Sequence, residues 1–183
     1  MATADLLLAD EAATNRWAAA LADALAAEPL AEQSVVVHLS GDLGTGKTAL
    51  ARAILRQLGF EGAVKSPTFT LLEPYNLPNF SVYHFDLYRF SSGEQWYDAG
   101  FDDVLAAPGL TLLEWPEKAA GALGTPDLLL ELVAPGDDDR RRLHARAFTE
   151  AGRRCLASVA RTSLHPAPPP GEQLPATDLD ASS

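Results

Sequence analysis

The sequence has little of what proteins outside the cytoplasm usually carry. Its single cysteine, Cys155, cannot form an internal disulfide or build a cysteine zinc site, and we expect this thiol to lie in the core. No apolar run approaches the roughly 18 residues of a membrane span, and the N-terminal stretch MATADLLLADEAA has neither a basic region nor a long apolar segment. We therefore expect a cytoplasmic protein with no membrane span and no signal peptide.

Positive charge is also scarce. The chain has 14 Lys and Arg against 25 Asp and Glu, a net charge of −11, which argues against a protein that coats nucleic acid by itself. The exception is the range 140–161, which holds seven arginines and one acid, Glu150. This basic segment could meet a nucleotide phosphate, RNA or an acidic partner, but solvated charge on a helix surface is the simpler interpretation.

Length and composition predict one globular domain. The chain has 183 residues, of which 47% are hydrophobic and 21% charged, enough for a core of ordinary size. We place this domain at residues 1–161. The range 162–183 is rich in proline and polar residues, cannot bury a core, and is predicted to be a disordered tail.

Helical and strand patterns alternate along the domain. A first helix starts near Asp10 and closes before Pro29, and later helices are predicted in ALARAILRQLGF, in SSGEQWYDAGFDDVLAAPG and at the end of the basic segment. Strands are predicted in SVVVHLS, FSVYHFDLYRF, LTLLEW and PDLLLELVAPG, with a possible edge strand at Leu143–Phe148. This order predicts an α/β fold, a mainly parallel sheet with helices on its faces and ligands at the carboxyl ends of the strands.

The stretch GDLGTGKT, between the strand SVVVHLS and the helix ALARAILRQLGF, matches the phosphate-loop pattern G-x-x-x-x-G-K-[ST]. Glycines let such a loop turn its backbone N–H groups toward phosphate oxygens, and the helix that follows adds its positive N-terminal end. Lys47 would place a cation beside the β- and γ-phosphates, and Thr48 would offer a hydroxyl to Mg²⁺. The sequence therefore predicts a nucleotide site.

Two acids end predicted strands. Asp86 follows VYHF and Glu114 follows LTLL, so both should reach the carboxyl edge of the sheet, where a Mg²⁺·nucleotide site needs one carboxylate for the metal and a hydrolytic site needs a group to orient water. Each could instead cap a turn or pair with Arg89 or Lys118.

Hydroxyl and imidazole groups are harder to assign. Ser66, Thr68 and Thr70 form a loop that could sense a γ-phosphate or could only make turn hydrogen bonds beside a proline. His38 and His84 lie inside predicted strands and are expected in the core or on a strand face rather than as ligands.

Four blocks in order, GDLGTGKT, VKSPTFTLLEPY, VYHFDLYR and LLEWPEK, resemble the TsaE family, over about residues 10–160. The resemblance implies a P-loop ATPase in tRNA threonylcarbamoyladenosine synthesis that uses ATP and Mg²⁺. It also implies two partner proteins, TsaB and TsaD, of which TsaD modifies adenosine 37 of tRNAs reading codons that begin with A. Contact with tRNA would be indirect, through the complex.

The resemblance also implies site residues. Those expected to hold the nucleotide are Asp42, Leu43, Gly44, Thr45, Gly46, Lys47 and Thr48. Thr48 and Glu114 would hold Mg²⁺, and Lys47, Asp86 and Glu114 would form the catalytic set, with the role of Asp86 left open between base and metal partner. Trp115 would help to position the site. Candidates for adenine contact are the ranges 11–14 and 138–141.

Other functions are compatible with the residues alone. A small-molecule P-loop kinase would use the same loop and acids, with the run of arginines at 140–142 as a lid, although no acceptor pocket is evident in the sequence. A non-hydrolysing, nucleotide-dependent scaffold would need neither carboxylate for catalysis. A GTPase would need a guanine-reading Asn/Thr-Lys-x-Asp, which the sequence lacks.

Overall fold

A computed structural model of the chain describes residues 2–134, 136 and 139–164. The described strands are β1 (Ala2–Leu8), β2 (Ser34–Ser40), β3 (Leu72–Asn76), β4 (Ser81–Asp86), β5 (Gly109–Glu114), β6 (Leu128–Val133) and β7 (Arg141–Ala147). The described α-helices are α1 (Glu11–Ala26), α2 (Lys47–Gln57), α3 (Glu94–Asp98), α4 (Phe101–Ala106) and α5 (Glu150–Leu164). A short 3₁₀ helix spans Pro116–Ala119.

The strands form one sheet in the order β1-β7-β6-β2-β5-β4-β3. The neighbouring strands β6, β2, β5 and β4 pair in parallel, whereas β7 runs antiparallel to both of its neighbours and β3 runs antiparallel to β4. Five strands therefore point in one direction and two in the other. The predicted α/β fold with a mainly parallel sheet is confirmed.

Helices cover both faces of this sheet. On one face α1, α2 and α5 pack together over a core that contains Leu21, Ile54 and Leu130. On the other face α3, α4 and the 3₁₀ helix enclose a smaller core, in which the Trp96 ring lies 5.2 Å from that of Phe85. Both cores exclude water from the strands that lead to the site.

Two features of the sheet differ from expectation. The stretch ATADLLL, for which no strand was predicted, forms β1 and pairs along its whole length with β7. β7 is consequently an inner strand rather than the predicted edge strand. Small residues and one acid give β1 a weak strand pattern, and its hydrogen bonds come entirely from a neighbour far along the chain.

Several smaller predictions can be compared with the structure. Cys155 is buried, as expected, and burial raises the pKa of its thiol to about 12. His38 is also buried, and desolvation lowers its pKa to about 4.

Helix α5 continues to Leu164, past the boundary placed at residue 161, and the remainder of the predicted tail lies outside the described residues. Among the described helices, none combines the length and apolarity of a membrane span.

Candidate functional site

The phosphate loop connects β2 to α2, as its pattern requires. Gly44 and Gly46 have φ angles of 81° and 105°, a region that glycine adopts without strain, and the space where their side chains would stand is open. Gly41 is constrained differently, because a Cβ there would lie 2.2 Å from the Leu132 carbonyl oxygen. The loop thus offers an open concave backbone at the start of a helix, which suits a phosphate group.

Lys47 lies against this loop. Its side chain is 4% exposed, and Nζ donates hydrogen bonds to the carbonyl oxygens of Gly41 at 2.6 Å and Asp42 at 2.8 Å. Burial lowers the pKa of Lys47 below its usual value, and the nearby acids, Glu114 first among them, oppose that shift. The cation therefore stands at the loop within a group of carboxylates.

Trp115 packs on this lysine. The centre of its ring is 3.7 Å from Lys47 Nζ, and the Tyr88 ring lies 5.1 Å away on another side. Trp115 has a φ of 61°, uncommon for an aromatic residue, and this left-handed turn directs the chain from β5 into the 3₁₀ helix. The indole thus contacts the phosphate-loop cation, and its role in positioning the site stays a prediction.

The two strand-end acids are direct neighbours in the sheet. Asp86 of β4 pairs in register with Glu114 of β5, and both side chains are buried. Glu114 Oε2 accepts a hydrogen bond from Thr48 Oγ1 at 2.9 Å. A carboxylate and a hydroxyl in contact are the hard oxygen donors that Mg²⁺ prefers, so these two side chains fit the metal that the sequence implied.

Asp86 has different partners. Its Oδ2 accepts from Ser66 Oγ at 2.5 Å and from Thr68 Oγ1 at 2.6 Å, and its Oδ1 accepts from the backbone N–H of Tyr88 at 3.0 Å. Two members of the predicted hydroxyl loop therefore lie at the site. Thr70 does not, because its hydroxyl donates to Glu73.

His84 is buried within a strand, as expected, but it also contacts the site, which the sequence interpretation did not predict. Its ring is fully buried, and Nε2 lies 2.8 Å from Glu114 Oε1. A single histidine within a strand has no distinctive spacing. The available signal was its position two residues before Asp86, which puts both side chains on the same face of the strand.

A cleft of about 330 Å³ is bordered by Gly44, Lys47, Asp86, Glu114 and Trp115, and His84 lies buried behind it. On the other side of the loop a second cleft of about 280 Å³ lies next to Gly46 and Ala49.

The second cleft contains members of both ranges proposed for adenine contact. Glu11 and Thr14 of α1 face Asp139 and Arg141, and Arg141 Nε donates to the Thr45 carbonyl oxygen at 3.0 Å. Asp138 lies outside the described residues. The structure therefore brings the two candidate ranges to one opening beside the phosphate loop.

The arginines of the basic segment, residues 140–161, have different partners. Arg141 contacts the phosphate loop, whereas Arg153 pairs with Glu150 and Arg154 pairs with Glu28. Arg146 also lies 3.9 Å from Glu131, so at least four of the seven arginines are engaged within this chain, two of them in ion pairs made from helix α5.

Comparison with known proteins gives a consistent result. The family model "Threonylcarbamoyl adenosine biosynthesis protein TsaE" matches residues 8–143. The chain is 39% identical to the tRNA threonylcarbamoyladenosine biosynthesis protein TsaE of Haemophilus influenzae over 129 residues, which cover 70% of this chain and 80% of that protein. The protein of the same name from Rickettsia bellii is 38% identical over 141 residues, covering 76% and 93% of the two chains.

A solved structure agrees with the sequence comparisons. The crystal structure of Bacillus subtilis YdiB superposes with a TM-score of 0.72 at 25% identity, covering 88% of this chain and 97% of that one. The region that the family model matches, residues 8–143, includes the phosphate loop, the paired acids and the strands that hold them. The chain therefore belongs to the TsaE family of threonylcarbamoyladenosine biosynthesis proteins.

Proposed function

We propose that this chain is a Mg²⁺-dependent ATPase required for threonylcarbamoyladenosine modification of tRNA at position 37, acting with TsaB and TsaD. The observation that carries the proposal is the contact between Thr48 and Glu114 beside the buried cation of Lys47. A hydroxyl, a carboxylate and a lysine at a phosphate loop are the parts that P-loop ATPases use to bind Mg²⁺·ATP.

Each side chain has a distinct role in this proposal. The loop backbone and Lys47 bind the phosphates, and Thr48 with Glu114 holds the metal. Mg²⁺, when bound, neutralises charge on the β- and γ-phosphates. Asp86 orients the attacking water, either itself or through the hydroxyls of Ser66 and Thr68.

Two exposed apolar side chains, one lining the cleft and one next to the lining residue Thr68, support a protein partner. Leu43 is 76% exposed and Phe69 is 83% exposed, with the Arg89 guanidinium stacked 4.2 Å from the Phe69 ring centre. Large apolar groups that stand beside a site and in water are typical of surfaces that another protein covers. In this proposal they contact the TsaB–TsaD complex, and tRNA is reached through that complex.

The proposal is tested by reconstituting tRNA modification from purified TsaB, TsaD, tRNA and the threonylcarbamoyl donor, with this chain and ATP added. Lys47→Ala should weaken ATP binding at least tenfold and reduce both hydrolysis and repeated modification to background, because the phosphates lose their cation. Arg161→Ala is the control, since it removes an exposed positive charge from α5.

The outcomes separate the alternatives. Normal ATP hydrolysis by Lys47→Ala would overturn the site assignment. Nucleotide-dependent binding to TsaB and TsaD with no hydrolysis, and modification that proceeds with a non-hydrolysable ATP analogue, would indicate a scaffold instead. Phosphate transfer from ATP to a small molecule in a cell extract would indicate a kinase.

A further inference from the structure

His84 lies at the centre of the site although the proposed reaction gives it no step. It is on β4, fully buried, on the same strand face as Asp86 and directed toward Glu114 of the neighbouring strand. The contact joins His84 Nε2 to Glu114 Oε1 at 2.8 Å. Residues 30 positions apart along the chain are thus brought together by the parallel register of β4 and β5.

The two oxygens of Glu114 have separate partners. Oε1 is held by His84, and Oε2 accepts from Thr48 Oγ1. Two hydrogen bonds from opposite sides fix both the position and the rotation of the carboxylate. Without His84, Oε1 would be a buried acceptor with one partner fewer, and the carboxylate would be free to turn toward other donors, among them Lys47.

The surroundings of the imidazole determine where its proton is. Nδ1 is buried and has no hydrogen-bond partner within the described part of the chain. A carboxylate that holds a metal accepts hydrogen bonds and donates none, so the proposed role of Glu114 requires a proton on the nitrogen that faces it. A lone pair on Nδ1 is tolerated without a partner more readily than a buried N–H, and this arrangement leaves Nε2–H as the donor.

We propose that His84 is a positioning residue that holds Glu114 through Nε2–H, so that Oε2 is presented toward Thr48 and the metal site is formed before nucleotide binds. The inference rests on the proposed function, because it concerns the Mg²⁺ affinity of that site. Groups that hydrogen-bond a metal ligand from behind commonly change metal affinity 10–100-fold when removed.

The test uses three variants of the full chain. His84→Leu fills the space and removes the donor, whereas His84→Gln can place an amide N–H near the position of Nε2. His38→Leu is the matched control, because His38 is also buried in an inner strand but has no carboxylate partner within the described residues. The measurement is binding of a fluorescent ADP analogue over a Mg²⁺ series and in EDTA.

His84→Leu should raise the Mg²⁺ concentration for half-maximal binding about tenfold or more, while affinity in EDTA stays within twofold. His84→Gln should recover most of this loss, and His38→Leu should match the unmodified chain. An unchanged Mg²⁺ requirement in His84→Leu would overturn the inference. So would equal losses in His84→Leu and His38→Leu, because these would show a packing effect.

A second measurement needs no nucleotide. In ¹⁵N NMR of histidine-labelled protein, the resonances lost in His84→Gln belong to His84, and they should show a protonated Nε2 that shifts in Glu114→Gln. A spectrum in which Nε2 carries no proton would overturn the inference. If the unmodified chain showed no Mg²⁺-dependent binding, the proposed function would fail, and the NMR result would still decide whether His84 holds Glu114.

Discussion

At the residue scale, the two acids of the site are held in different ways. Glu114 is paired with a hydroxyl that can ligate metal and with an imidazole, whereas Asp86 accepts two hydroxyls and a backbone N–H. These contacts support our proposal that Glu114 is a metal ligand. Asp86 is arranged as the fixed centre of a hydroxyl cluster that faces the cleft, which suits a group that orients water.

This difference predicts opposite behaviour for two conservative variants. Glu114→Gln should weaken Mg²⁺-dependent nucleotide binding as well as the rate, with partial recovery at high Mg²⁺, because a neutral amide replaces a charged ligand. Asp86→Asn should keep nucleotide and Mg²⁺ affinity within a few-fold while kcat falls by about 10²–10⁴. Nucleotide titration and single-turnover hydrolysis over a Mg²⁺ series measure both effects.

The reverse pattern would exchange the roles. If Asp86→Asn lost Mg²⁺ affinity and Glu114→Gln kept it, Asp86 would be the metal ligand and Glu114 the group that orients water.

The burial of His38 predicts that the free energy of unfolding decreases in acid. Burial lowers its pKa from 6.5 to about 4, so between these values the unfolded chain binds a proton that the folded chain does not. This difference costs the folded chain nothing well above pH 6.5. As the pH falls from 6.5 toward 4, it lowers the free energy of unfolding by at most about 3 kcal/mol. Urea unfolding at pH 7, 5.5 and 4 should show a smaller acid loss for His38→Leu than for the unmodified chain. Equal losses would show that His38 is protonated in the folded state.

At the element scale, helix α5 can pack close to the start of β6 because residue 152 is a glycine. A Cβ on Gly152 would lie 2.1 Å from the carbonyl oxygen of Asp127, the residue just before β6. Gly152→Ala should therefore push α5 away and lower the free energy of unfolding by about 1–3 kcal/mol. Gly124→Ala is the control, because open space surrounds that position. Equal stabilities in urea would show that the helix shifts at no cost.

How far the sequence predicts an element depends on where its partners come from. The unit β2–loop–α2 was predictable, because the motif and its flanking patterns are contiguous in the chain. The position of β7 was not, since whether a strand lies at an edge depends on β1, whose own pattern is weak. The site shows the same limit. Asp86 and Glu114 were predicted from strand ends, whereas the contact of His84 with Glu114 follows from the register between strands.

At the scale of the whole molecule, the reactivity of the single thiol measures how often the folded chain opens. Cys155 is 1% exposed, and burial raises its pKa to about 12, so at pH 8 it is neither accessible nor ionised. A disulfide reagent such as DTNB should react slowly with the native chain and at full speed in denaturing urea. The native rate should rise in parallel with the equilibrium fraction unfolded. Fast reaction in native buffer would show that α5 detaches without global unfolding.

The pairing of β1 with β7 has a consequence for synthesis. Asp5 of β1 contacts His144 of β7, and these residues are 139 positions apart. At the usual rate of translation, roughly 5–20 residues per second, about 7 to 28 seconds pass between the emergence of one strand and that of its partner. The inner parallel strands can assemble on the ribosome before then. Among the described strands, β1 pairs only with β7, so it can join the sheet only once β7 is present, and until then its unpaired backbone is open to pairing with other chains.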